Sequence, residues 1–161
     1  MIANTLRGHA GATVEVEPLA LHRDDHFDLI VYAGARKWAL DLTIVNPTAP
    51  SYVRHGPGGA AHYRTKQKNK QYEEVARRRG LPFVPFVLDA FGHVGAEARQ
   101  FLLDVSSQLD AIQPDSAGPF DHLYSTLVIA VATSLQRGNN MCLQAAAHLA
   151  ARQAVAARQA V

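Results

Sequence analysis

The sequence predicts an α/β fold: a mixed β-sheet of about four strands flanked by helices, with a C-terminal helical extension. Three observations predict it. Two strand-like runs, FDLIVY (27–32) and KWALDLTIV (37–45), are joined by the turn AGAR, as in a hairpin. A helical stretch and another strand-like run, LPFVPFVLDAFG (81–92), follow, which is the strand–helix–strand order of a parallel crossover. Beyond about residue 95 the pattern is helical.

Residues 1–12 read as a loose or truncated start. ATVEVEP (12–18) alternates apolar and polar residues and reads as a strand stopped by Pro18. The polar loop LHRDDH leads into the hairpin, whose second strand is the richest in β-branched and aromatic residues and ends at NPTAP. SYVRHGPGGA (51–60) reads as a loop, and a helix is predicted from about Ala61 to Arg79, with Gly80 as its stop. Pro82 and Pro85 give the next strand an edge-like beginning. A helix is expected from about Gly95 to Leu109, then a linker, PDSAGP (114–119). Two further helices are expected, Asp121 to Gln136 and about Asn140 to the end, separated by RGNN. The expected organisation is a core over 1–112 and a helical extension over 113–161.

Composition narrows the function classes. A chain of 161 residues with 48% hydrophobic and 19% charged residues suits one globular domain. No apolar run approaches the ~20 residues of a membrane helix. MIANTLRGHAGA lacks the order of a signal peptide, and the lone Cys142 excludes a disulfide framework. An intracellular, non-secreted protein without a membrane partner is expected. Net charge is only +2, but Arg64, Lys66, Lys68, Lys70, Arg77, Arg78 and Arg79 crowd together. Such a patch can hold a phosphate backbone, although a charge run alone is more often a solvated helix face.

Two carboxylates stand out. A hairpin register that pairs Tyr32 with Lys37 sets Asp28 opposite Asp41, with Cβ atoms ~4.5–5.5 Å apart. Like charges there repel unless something positive lies between them, and a divalent cation such as Mg²⁺ or Mn²⁺ is the natural occupant. Asp is disfavoured in mid-strand, so Asp41 reads as functional; Asp28, near a strand start, could simply be exposed. Phosphodiester hydrolysis also needs a positive group to orient water or stabilise charge. The position two residues after Asp41 is Thr43, not lysine. On the following helix, Lys68 lies four residues before Tyr72 and seven before Val75, on the inward face, while Lys66 and Lys70 project elsewhere. Lys68 can equally be a lysine snorkelling over the core edge.

In order and spacing, VEVEP, HFDLIVYAG, ALDLTIVNPTAPS, KQKNKQY and FVPFVLDAFGHVG resemble the restriction-like endonuclease domain of the PD-(D/E)XK type that ends early-branching, site-specific non-LTR retrotransposon polyproteins. The resemblance covers roughly residues 10–150. It implies a restriction-endonuclease-like fold and a magnesium-dependent endonuclease, a hydrolase that nicks target DNA. Asp28 and Asp41 resemble the metal-binding acids, Lys68 the lysine that has moved to the next helix, and Glu17 an acid that precedes the first motif, either a third metal-side carboxylate or a strand-end charge. Arg64, Lys66, Lys70, Arg77 and Arg78 would contact nucleic acid. Phe27 replaces the family's proline before Asp28. Lys70 lies two residues before Tyr72 rather than one, so Lys66 and Lys70 remain rivals for the catalytic role. The implied location is nuclear, and the implied partners are DNA and the reverse transcriptase part of the same polyprotein. Met1 begins just before the nuclease-like segment, so the chain reads as a truncated reading frame. The alternatives are a catalytically inactive nucleic-acid-binding fragment of a decayed element, or a helical self-association module.

Other residues carry less. His55 and His62 read as loop histidines that can touch phosphate, Cys142 as buried, Asp89 as a strand-to-loop cap and Phe91 as core rather than a base-stacking platform. GPGG (56–59) is not followed by Lys-Ser/Thr and is no P-loop.

Overall fold

The AGAR turn closes the expected hairpin in the computed structural model, which describes residues 2–7, 11–16, 26–56, 58–112 and 121–159. Strands β1 (Ala12–Val16), β2 (Leu29–Ala33), β3 (Arg36–Val45) and β4 (Phe83–Asp89) form a four-stranded sheet in sequence order. Strands β1, β2 and β3 pair antiparallel, and β3 pairs parallel with β4. The sheet is therefore mixed, and β4 is an edge strand. An edge tolerates Pro85, whose missing N–H would break a central ladder. The parallel pair requires a long return, supplied by α3 (Gly59–Arg78) after the short α2 (Pro50–Val53). Gly80, at φ 63°, ends that return in the left-handed region that a side chain disfavours.

Alternation along β3 assigns the two sides of the sheet. Trp38 and Leu40 join Phe86 of β4 and Phe101, Leu102 and Val105 of α4 (Ala96–Ile112) in the main core. Phe101 stands edge-on to both Trp38 and Phe86, with ring centroids 5.6 and 6.1 Å away. Ala39 and Val45 point to the other side, beneath α3. The contacts there are small: Ala39, Ala60, Ala61 and Ala76 are at most 3% exposed, so α3 lies close on the sheet. The protein is thus α/β, with helices on both faces of a mixed four-stranded sheet.

Several expectations are corrected. The start of the chain is not loose, because α1 (Ile2–Arg7) buries Ala3 and Leu6 in the main core. SYVRHGPGGA is not all loop, since Ser51 to Val53 belong to α2 and Gly59 begins α3. The RGNN segment does not divide two helices. A single helix, α5 (Asp121–Gln159), runs through it for 39 residues. One interior glycine costs a helix only about 1 kcal/mol, and Asn139 is held by its Nδ2 donating to Ala90 O at 2.8 Å. Leu127 and Val131 bury α5 against the main core, and Leu135, one turn further on, is also buried. Beyond them α5 is largely exposed through residue 153. None of the described helices is long and apolar enough to cross a membrane.

Asp89 closes β4 as the cap that its position predicts. Its Oδ1 accepts the N–H groups of Phe91 and His93, both at 2.9 Å. Asp89→Ala is expected to cost about 2 kcal/mol by stranding those donors, measured as a lower urea midpoint at unchanged slope.

Candidate active site

The α3 side of β3 carries two polar residues between two apolar ones. Ala39 and Val45 belong to two separate apolar clusters, and Asp41 and Thr43 lie between them. The matching stripe of α3 runs Ala61, Thr65, Lys68, Ala76, each of them buried. A polar island is therefore sealed between two apolar contacts. Asp41 is 5% exposed and Lys68 8%. Lys68 Nζ lies 2.7 Å from Asp41 Oδ2, and the Thr43 hydroxyl donates to that same oxygen at 3.3 Å. Lys68 Nζ also stands 5.2 Å from the centre of the Tyr72 ring. Lys66 and Lys70 are exposed. At 100° per residue they lie about 160° round the helix from Lys68, so neither reaches Asp41.

Asp28 is placed differently. The ladder has the expected register, Tyr32 with Lys37, but its last pair is Leu29 with Leu40. Asp28 N–H donates to Leu40 O at 3.0 Å, and Asp28 Oδ2 accepts Leu42 N–H at 2.6 Å. Its carboxylate takes the place of a ladder carbonyl, and the residue is exposed. The expected mutual repulsion of two stacked carboxylates is therefore replaced. Lys68 offsets Asp41 and a peptide N–H serves Asp28, so no further cation is needed to explain either residue. Among the described residues no group of three or more His, Cys, Asp or Glu is arranged to hold a metal ion. Two carboxylates still suffice for Mg²⁺, which binds through one or two and keeps its waters. Asp41 and Asp28 each have one oxygen outside the contacts just described. Glu17 lies outside the described residues.

The basic cluster divides in three. Lys66, Lys70 and Arg77 share the outer face of α3, opposite Lys68. Arg64 lies one turn before Lys68 on nearly the same side and donates to Gln67 Oε1 at 3.0 Å. Arg78 is exposed at the C-terminal end of α3. Arg77 pairs with Glu74 at 2.8 Å, and its hydrogen bonds hold the Glu74 carboxyl below the ordinary range while Glu74 raises the guanidinium in turn. Elsewhere, burial first and then the Glu15 carboxylate push the Tyr32 hydroxyl above its usual value.

Three other readings change. His55 stacks on Tyr63 at 4.6 Å with its Nε2 buried, so it is packed rather than free in a loop. Cys142 is exposed, because it lies on α5 beyond the last core contact, Leu135. Phe91 is 69% exposed and is not core, because it stands at the tip of the Asp89 turn. Sequence reasoning missed Thr65, 3% exposed beside Lys68; its only signal was its helical phase.

Comparison with known proteins finds no family whose pattern matches the chain and no curated protein similar to it.

Proposed function

We propose that the protein is a metal-dependent DNA endonuclease with a restriction-endonuclease-like fold, of the retrotransposon type that its sequence resembles. One observation carries the proposal: a buried Asp41–Lys68 pair, 2.7 Å apart, linking mid-β3 to the crossover helix α3. An ionic pair in such a place is a weak source of stability, because desolvation offsets most of its Coulomb gain. It is a strong arrangement for chemistry, because the lysine is fixed within reach of a carboxylate without being its only contact. Asp28 and Asp41 would hold Mg²⁺ or Mn²⁺. The ion, when bound, would supply Lewis acidity toward the phosphodiester and its attacking water. Thr43 and Lys68 both engage Asp41 Oδ2, which leaves Oδ1 outside those contacts. Lys68, anchored between Tyr72 and Asp41, stabilises negative charge as it grows on the phosphate. Arg64 would grip the adjacent strand. Lys66, Lys70, Arg77 and Arg78 would add long-range attraction for DNA without touching the reacting phosphate.

The test is supercoiled plasmid incubated with the protein, with and without Mg²⁺ or Mn²⁺, beside Asp41→Ala. Metal-dependent nicking by the wild type is expected, with the variant at the level of the metal-free control. Equal nicking by the two proteins would sink the assignment of Asp41. Plasmid binding without nicking would identify a catalytically inactive nucleic-acid-binding module instead.

A further inference from the structure

Phe91 is an exposed aromatic residue that the catalytic reading leaves unused. It lies at the carboxyl end of β4, beside the Asn46 and Thr48 turn at the carboxyl end of β3. Ligands of open α/β sheets bind in crevices at such strand ends. A cavity of about 530 Å³ opens there between Phe91, Asn46, Thr48 and the α5 residues Gln136, Asn139 and Leu143. That size lies within the range of roughly 300–1,000 Å³ typical of small-molecule sites.

The turn that carries the ring is held rigidly. Besides the two hydrogen bonds to Asp89 Oδ1, Asp89 N–H donates to His93 O at 2.9 Å, so the turn is tied at both ends. The amides around it are also fixed. Asn139 spends its Nδ2 on Ala90 O, which leaves its Oδ1 as an acceptor. Asn46 Oδ1 receives both the N–H and the hydroxyl of Thr48, at 3.0 and 2.7 Å, which leaves its Nδ2 as a donor. An exposed aromatic face on a fixed turn, flanked by one amide acceptor and one amide donor, matches an unpaired nucleobase: the ring takes the π-face and the amides take the polar edge.

We infer that Phe91, Asn46 and Asn139 seat an unpaired base of the bound DNA. Asn46 follows the last residue of β3, five positions beyond Asp41, about 16 Å at the usual strand rise. That span equals about five nucleotide steps of a duplex strand. A base seated there lies about that far from the reacting phosphate, on the α5 side of the sheet rather than the α3 side that carries Asp41 and Lys68. This inference rests on the nucleic-acid reading above but not on catalysis.

The test is binding in EDTA, where no cleavage occurs. Phe91→Trp is titrated with single-stranded DNA and with an abasic strand of equal length. Trp38, the chain's one native tryptophan, is buried and gives a constant background. Quenching of the new tryptophan by the base-bearing strand, and far less by the abasic one, is expected. Phe91→Ala should bind single-stranded DNA about tenfold more weakly, with Phe91→Tyr close to wild type. Equal quenching by both strands, or wild-type affinity in Phe91→Ala, overturns the inference while leaving the nuclease assignment intact. Quenching without any plasmid nicking keeps the base seat and removes the nuclease. A protein that binds neither strand overturns the seat.

Discussion

Lys68→Met is expected to destabilise the protein by about 3–5 kcal/mol, because it leaves the Asp41 carboxylate buried and uncompensated. Asp41 is fixed in mid-strand and cannot swing to water. Asp41→Leu should cost less, because the long Lys68 stem can carry its ammonium to the surface. The double variant, Asp41→Leu with Lys68→Met, replaces two charges by apolar groups between Ala39 and Val45. It should return to within about 1 kcal/mol of the wild type or exceed it. The three variants form a cycle whose coupling should be about 3 kcal/mol, read from urea midpoints at constant slope. A coupling near zero would mean that Asp41 and Lys68 are not paired in solution. A double variant more stable than the wild type would mean that the pair is retained at a cost, as expected of a functional site.

Nicking activity should separate the three lysines just as sharply. Lys68→Ala is expected to lower the plasmid nicking rate at saturating DNA by about 10²–10⁴-fold, the usual loss when a group that stabilises the transition state is removed. Lys66→Ala and Lys70→Ala should leave that rate within about threefold, since both side chains lie on the far side of α3. Their effect should appear as weaker binding and a shallower salt dependence, by about one unit of slope per lost phosphate contact. Rates are compared per folded molecule, which separates the loss of chemistry from the lost stability of Lys68→Ala. A large rate loss in Lys70→Ala with little in Lys68→Ala would reassign the catalytic lysine.

Although α1, α2 and the unbroken α5 escaped it, the sequence by itself determined the four strands, their order, the crossover helix α3 and the edge position of β4. These follow from local rules: alternation, helical phase, and the N–H that proline lacks. It also determined that Lys68 points inward, because phase on a helix is a property of spacing alone. The Asp89 cap was legible for the same reason, since its partners lie two and four residues away. What only the tertiary structure decided was which groups from distant segments meet. Asp41 is paired with Lys68, 27 positions later, and no local pattern records that meeting. Asp28 leaves the ladder and serves Leu42, because the pairing ends where β2 begins and not where the apolar run does. Phe91 and Cys142 are exposed although both are apolar, because burial depends on what packs opposite. The core contacts of α5 end at Leu135, and the β4 turn leaves nothing above Phe91.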